Sequence, residues 1–310
     1  MKTSQRKNKQ ARTVYNRSMH YKTRILGIAL LIPSLFFILL TLIIPIIWNF
    51  LLSFTKWNAF SPVEFIGIDN YIKVFRDSIT IKSFYYSIFI AFVSAALALL
   101  LGILLALMIY KSGRKEGAAY RLVFFAPSMM PFVVIGLLFT FILSPDMGLL
   151  NSLLRLIGLS SLERAWLGEP STVLWTVSVV SGWRFSGMVM MLVFTAILAI
   201  PASMFEAARL EGLNYYQQVK IIIFPLIIPT IRLVSMLMLI YCFRTYDVVM
   251  AMTKGGPGDF SRTAPVRMLD VAFKHNEFGY AAAISVVLTL LVSVFIFVSQ
   301  KFSRSEVYEY

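Results

Sequence analysis

Four stretches of this chain, residues 25–55, 83–110, 122–145 and 278–300, contain no Asp, Glu, Lys or Arg. Each exceeds the ~20 residues that an α-helix needs to cross ~30 Å of hydrocarbon. Two further apolar stretches carry isolated charges: Arg184 in 171–199, and Arg232, Arg244 and Asp247 in 226–250. Backbone polar groups in lipid must be satisfied internally, so helices are expected. The alternating pattern of ~10-residue barrel strands is not seen. The prediction is an all-α integral membrane fold with six transmembrane helices, near 26–53, 84–110, 122–144, 171–199, 228–250 and 279–300.

Composition agrees. Hydrophobic residues make up 58% of the 310 and charged residues 14%, with a mean hydropathy of +0.77. Soluble domains run near ~45–50% apolar and ~25% charged, so a soluble enzyme and a disordered chain are both disfavoured. The single cysteine, Cys242, excludes an intrachain disulfide and a CxxC metal site. The two histidines, His20 and His275, form no HExxH motif. The net charge of +14 would suggest nucleic acid in a soluble protein. Here it is read as cytoplasmic loops on anionic headgroups, with no nucleic-acid partner.

Orientation follows from charge. The first 24 residues hold eight Lys/Arg and no acid. The apolar run behind them is far longer than the ~7–15 residues of a signal-peptide core, so 1–25 is expected to be a basic cytoplasmic segment. Six crossings then place 111–121, 200–220 and the tail 301–310 inside, with both termini cytoplasmic. These inner segments carry 16 Lys/Arg against 5 acids, and the outer loops 10 against 9. The bias obeys the positive-inside rule.

The most informative segment is the inner one, Pro201 through Pro229. It reads Glu206-Ala207-Ala208, three residues, Gly212, nine residues, then Ile222-Ile223-Phe224-Pro225. Physically this predicts two short helices with a break. Pro201 suits a helix start, and Ser203 with Glu206 has capping-box spacing. Gly212 permits a turn and Asn214 caps the next helix. Pro225 and Pro229 are expected to end that helix before the membrane is re-entered. A short helix with a small-residue face suits close docking against a partner; the plainer reading is an interfacial amphipathic helix.

That spacing resembles the EAA loop of ABC importer permeases, the coupling helix that docks in a groove of the ATPase subunit. Phe224, Glu211 and Leu213 stand where the family more often has Leu, Asp and Ala. Thr253-Lys254-Gly255-Gly256-Pro257 is similar to the TxGGP signature of the carbohydrate-uptake permeases, although a Gly/Pro turn needs no function. Phe65-Ile66-Gly67-Ile68-Asp69-Asn70-Tyr71 and Trp183-Arg184-Phe185-Ser186-Gly187 look like the same subfamily, which includes the maltose-transporter permeases. The resemblance covers nearly the whole chain after residue 25.

The resemblance implies a type I importer permease domain over 26–300, with its coupling loop at 201–229, in the plasma membrane of a bacterium. It implies two ATPase subunits, a second homologous permease, an extracytoplasmic solute-binding protein, and a sugar or oligosaccharide as solute. No GxxxxGK[ST] loop is present, so ATP and Mg are expected on the ATPase subunits, with no cofactor, metal or catalytic residue here. The implied ATPase-coupling residues are Glu206, Ala207, Ala208, Gly212 and Pro225. The implied solute-pathway residues are Arg184, Phe185, Met188, Met238, Tyr241 and Cys242, with Arg244 nearby.

A charge in mid-span costs at least ~2.5–3.5 kcal/mol, so each needs a reason. Arg232 can snorkel to the inner surface. Arg244 and Asp247, three residues apart, can pair on one helix face. Arg184, mid-span, must face a partner, water or the pathway. Arginines on the path would suit an acidic sugar, since guanidinium pairs bidentately with carboxylate. Two other classes compete. An ion-coupled secondary transporter needs ionisable relays in the spans, where Asp247 is the only acid. An intramembrane serine protease needs a Ser–His pair, and neither histidine lies in a predicted span beside Ser181 or Ser186.

Overall fold

The structure is a computed structural model that describes residues 30–112 and 114–302. The expected basic segment 1–25 and residues 303–310 lie outside the described residues.

The chain opens with α1 (Leu30–Leu52), followed by a two-stranded antiparallel ribbon, β1 (Thr55–Lys56) and β2 (Glu64–Phe65), and α2 (Asp69–Arg76). Then come α3 (Ser78–Lys111), α4 (Arg114–Met129), α5 (Phe132–Ile142) and α6 (Leu149–Leu156). The second half holds α7 (Val173–Leu198), α8 (Ala202–Leu210), α9 (Tyr215–Phe243), α10 (Asp247–Met252), α11 (Ala264–Phe273) and α12 (Phe278–Phe302). Five helices (α1, α3, α7, α9 and α12) are long and apolar enough to cross a membrane, and six spans result if the bent pair α4–α5 counts as one.

The core is the pairing of α3 with α7. Small residues at Ala91, Ala95, Ala98, Gly102 and Ala106 are spaced three or four apart and lie on one face of α3. They let the two backbones approach: a Cβ on Gly102 would lie 2.5 Å from Val189 Cβ, and one on Gly182 would lie 2.9 Å from the Ser94 carbonyl oxygen. In lipid such close packing replaces the hydrophobic drive that water would supply. The Ser94 hydroxyl also donates to the Ser178 carbonyl at 3.1 Å. By contrast the apolar side chains of α1 are exposed along its length. Near its end, the Asn49 amide donates to Ser285 Oγ of α12 at 3.1 Å.

Two predicted spans need correction. The stretch 122–144 is two helices, α4 and α5, meeting at 98°. Pro131 has no N–H and disfavours helical geometry at Met130, so α4 stops and Pro131 caps α5 in extended geometry (φ −56°, ψ 141°). The stretch 228–250 begins earlier, at Tyr215, and ends at Phe243, with Arg244, Thr245 and Tyr246 separating α9 from α10. Arg244 therefore lies in the break while Asp247 opens α10, and the expected pair on one helix face does not form.

Pro225 and Pro229 do not end a helix either. A π turn over Val219–Ile223 precedes Pro225, with the Phe224 N–H donating to the Val219 carbonyl. The shifted register absorbs the donor that Pro225 lacks, and α9 continues through both prolines. The same device, a π turn over Leu39–Ile43, precedes Pro45 in α1.

Candidate functional site

Near the C-terminal end of α3, the short helix α8 packs against the bundle. Phe205 and Ala208 are buried in the main core, with the Phe205 ring 5.8 Å from that of Tyr110. Glu206, Ala207, Arg209 and Leu210 are exposed, Leu210 at 91%. Only one of the two motif alanines therefore faces outward, and the outer face is Glu206, Ala207 and Leu210 rather than a uniformly small one. The expected Ser203–Glu206 capping box is absent. Pro201 is the N-cap, without a side-chain cap, because the helix begins at Ala202 and leaves Ser203 inside the first turn.

The turn after α8 follows the prediction. Gly212 adopts φ +76°, and nothing lies within 4 Å of where its Cβ would be. The Gly212 N–H donates to the Arg209 carbonyl at 3.0 Å and the Leu213 N–H to the Ala208 carbonyl at 2.9 Å. This is a Schellman cap, which only a residue tolerant of left-handed geometry closes cheaply. Asn214 then caps α9 in a capping box with Gln217. Pro225 lies in the first α-helical turn after the π turn, with Ile222 and Ile223 buried beside it. An outward-facing helix is thus fastened at both ends to the long helices that cross the membrane.

In mid-bundle, the segment Trp183-Arg184-Phe185-Ser186-Gly187 of α7 forms a socket for the bent span. The Arg184 guanidinium donates to the Met130 carbonyl from Nε (3.2 Å) and Nη2 (3.0 Å). Its Cζ lies over the Phe132 ring, 3.6 Å from the ring centroid. Ser128 Oγ donates to the Arg184 carbonyl at 2.5 Å. A Cβ on Gly187 would lie 2.4 Å from the Phe124 carbonyl oxygen, so glycine is what lets α4 seat. Trp183 packs edge-on to Phe139, and Phe185 edge-on to Phe132.

Six of the seven candidate pathway residues belong to this socket or to the α9 face beside it. Phe185 stacks on Tyr241 at 5.9 Å with a 25° tilt. Phe185 is buried, Met188 half-buried and Tyr241 exposed, while Met238 and Cys242 are buried in the same core. Arg244 is separate. It lines a cavity of about 480 Å³ with Phe243, Met268, Ser285 and Thr289, which none of the other six borders.

At the opposite end of α3, a polar cluster ties three helices together. The Asp77 carboxylate accepts hydrogen bonds from Thr80 (2.6 Å), Arg267 (2.8 Å), Tyr280 (2.9 Å) and the Ile79 N–H (3.0 Å). Burial pushes the Asp77 carboxyl up, but these donors outweigh it and hold it well below the usual carboxylate range. Asn70 of the Phe65–Tyr71 motif is buried and donates to the Ser53 and Thr55 carbonyls at 2.9 and 2.8 Å. The Thr253–Pro257 motif is a turn with Lys254 at φ +53° and Gly255 at φ +89°, closed by Ser261 Oγ donating to the Gly256 carbonyl at 2.6 Å.

The sequence reading missed Met130, Ser128 and Gly187 as the partners that seat the bend, and Asp77 with Arg267 as the ion pair at the far end. Pro127 and Pro131 within one apolar run were the legible signal for the bend. Among the described residues, no group of three or more His, Cys, Asp or Glu is placed to hold a metal ion.

The family model described as "Binding-protein-dependent transport system inner membrane component" matches residues 98–304. A probable ABC transporter permease of Bacillus subtilis, YurN, is 34% identical over 290 residues, covering 92% of this chain and 98% of that protein. The diacetylchitobiose uptake system permease NgcF of Streptomyces coelicolor is 31% identical, covering 85% and 78%. Among solved structures, a bacterial ABC transporter involved in import of the acidic polysaccharide alginate shares the fold, with a TM-score of 0.81 over 91% of this chain and 96% of that chain at 21% identity.

Proposed function

Since the chain belongs to the family of binding-protein-dependent transport system inner membrane components, we propose that it is a permease subunit of an ATP-driven importer of a sugar or oligosaccharide, in a bacterial plasma membrane. Its partners in this reading are two ATPase subunits, a second homologous permease and an extracytoplasmic solute-binding protein. ATP and Mg sit on the ATPase subunits. Residues 26–300 form the permease domain, 201–229 its inner coupling loop, and 1–25 and 301–310 its cytoplasmic ends.

The observation that carries the reading is α8. Its Glu206, Ala207 and Leu210 point away from the bundle, and its Phe205 and Ala208 are packed into the core that joins α3, α7 and α9. A force applied to the outer face reaches those long helices through packed side chains, and interiors packed this densely transmit strain. ATP binding closes the ATPase dimer, α8 moves with it, and the bundle passes from inward-open to outward-open. ATP and the loaded binding protein both bias that one equilibrium, which is the physical content of coupling.

The solute would meet Tyr241 and Met188 at the edge of the bent-span socket. Tyr241 offers a ring face already aligned by Phe185. The Arg184 guanidinium has two donors on Met130 and its Cζ over the Phe132 ring. Those bonds use two of its five N–H donors, so the carboxylate of an acidic sugar can pair with the remaining ones while the brace on Met130 stays in place, and a neutral sugar can use Tyr241. An ion-coupled carrier gains no support from Asp247, which opens the short helix α10 with an exposed side chain.

The test is reconstitution. Vesicles that contain this chain, its second permease and the ATPase should accumulate solute only with ATP in the lumen, on the face that carries the ATPase, and with the loaded binding protein outside. Accumulation by this chain alone under a proton or sodium gradient would refute the reading.

A further inference from the structure

A groove of about 450 Å³ lies on α3 at its α8 end, apart from the coupling face and the bent-span socket. Leu104, Leu107 and Met108 form one wall, Tyr215 and Tyr216 the other, and Lys111 closes the end. The Tyr215 hydroxyl donates to the Leu107 carbonyl at 2.6 Å, which fixes that ring as part of the wall. Leu104, Met108 and Tyr216 are exposed. Lys111 Nζ lies 5.5 Å from the centroids of both tyrosine rings. Among the described residues no carboxylate pairs with Lys111.

An apolar wall on the last turns of a membrane span faces acyl chains. Tyrosine rings and an uncompensated lysine at its end mark the headgroup level. Lysine supplies three donors and a point charge suited to a phosphate. We propose that this groove holds one anionic phospholipid, with an acyl chain along Leu104, Leu107 and Met108 and its phosphate on Lys111. The groove wall at Tyr215 opens α9 directly after the Gly212 turn, so the bound lipid packs against the link that carries the coupling helix.

The experiment is native mass spectrometry of the assembled transporter in neutral detergent, with added phosphatidylglycerol or phosphatidylcholine of identical chains. Wild type should retain phosphatidylglycerol about five-fold better, the effect of one lysine near an anionic headgroup. Lys111→Gln should lose that preference, Lys111→Arg should keep it, and Lys220→Gln, on an exposed lysine outside the groove, should leave it intact. Because Lys111 is exposed, these variants leave folding unchanged. Equal retention of both lipids by wild type, or an unchanged preference in Lys111→Gln, would overturn the proposal. So would efficient photo-cross-linking to the second permease, in membranes, of a Met108→Cys variant labelled on that thiol with a maleimide-benzophenone, since that would make the groove a subunit contact.

Discussion

The Arg184 side chain and the Met130 carbonyl are joined by two hydrogen bonds, of 3.2 and 3.0 Å, across the bend between α4 and α5. The bend creates the need for them. In a continuous helix the Met130 carbonyl would accept from the N–H four residues on, and the break at Pro131 removes that partner. In a bilayer no water replaces it. One arginine, costly in isolation, thereby satisfies a backbone group that would otherwise be costly too.

Replacing Arg184 with Met keeps the apolar stem but frees the Met130 carbonyl and ends the contact with Phe132. Hydrogen bonds to charged groups are worth ~1.5–3 kcal/mol and a cation–π contact ~0.5–2 kcal/mol. Thermal unfolding of the purified transporter should shift down accordingly. The shift should shrink in a Phe132→Leu background, because the two side chains share one contact. An unchanged midpoint in Arg184→Met would remove the brace from the account.

Gly187 gives a sign reversal. Gly→Ala inside a helix normally stabilises by ~1 kcal/mol. Here the added Cβ would meet the Phe124 carbonyl oxygen at 2.4 Å and Ser128 Oγ at 2.6 Å. Gly187→Ala should therefore destabilise, by about 1–3 kcal/mol. A gain in unfolding temperature would show that α4 does not seat against α7 in this way.

The coupling face is tested where folding is least at stake. Leu210 is 91% exposed, so Leu210→Asp should change stability by no more than ~0.5 kcal/mol. It should nonetheless cut capture of the ATPase subunit by tagged permease at least ten-fold. Gly212→Trp has open space around it, but a left-handed φ of +76°. It should lower uptake more than it lowers the yield of assembled transporter. Normal uptake in both variants would sink the assignment of α8.

Asp77 predicts an acid limb. Its carboxyl sits below its ordinary value of 3.8, so its contribution is complete above that value and is lost as pH falls through the depressed native one. The stability gap between wild type and Asp77→Asn should stay constant from about pH 8 to about pH 5 and narrow below about pH 4. A gap that is flat down to about pH 3 would mean that Arg267, Thr80 and Tyr280 do not favour the charged form.

Hydropathy determined the helices, because it reports the solvent around a segment and lipid leaves few alternatives to a helix. Local backbone chemistry likewise made the Gly212 turn and the Asn214 cap legible, since φ > 0 and an orphan N–H are needs met within a few residues. The EAA spacing marked α8 for the same reason: it is a short-range pattern. Tertiary structure alone decided that Arg184 turns to the Met130 carbonyl, that Ala208 faces in while Ala207 faces out, and that a break sets Arg244 apart from the helix that Asp247 opens. In a chain this apolar every face of a helix is compatible with lipid, so composition cannot say which face meets protein. Close approach at Gly102, Gly182 and Gly187 settles that, and it exists only when helices distant in sequence are brought together.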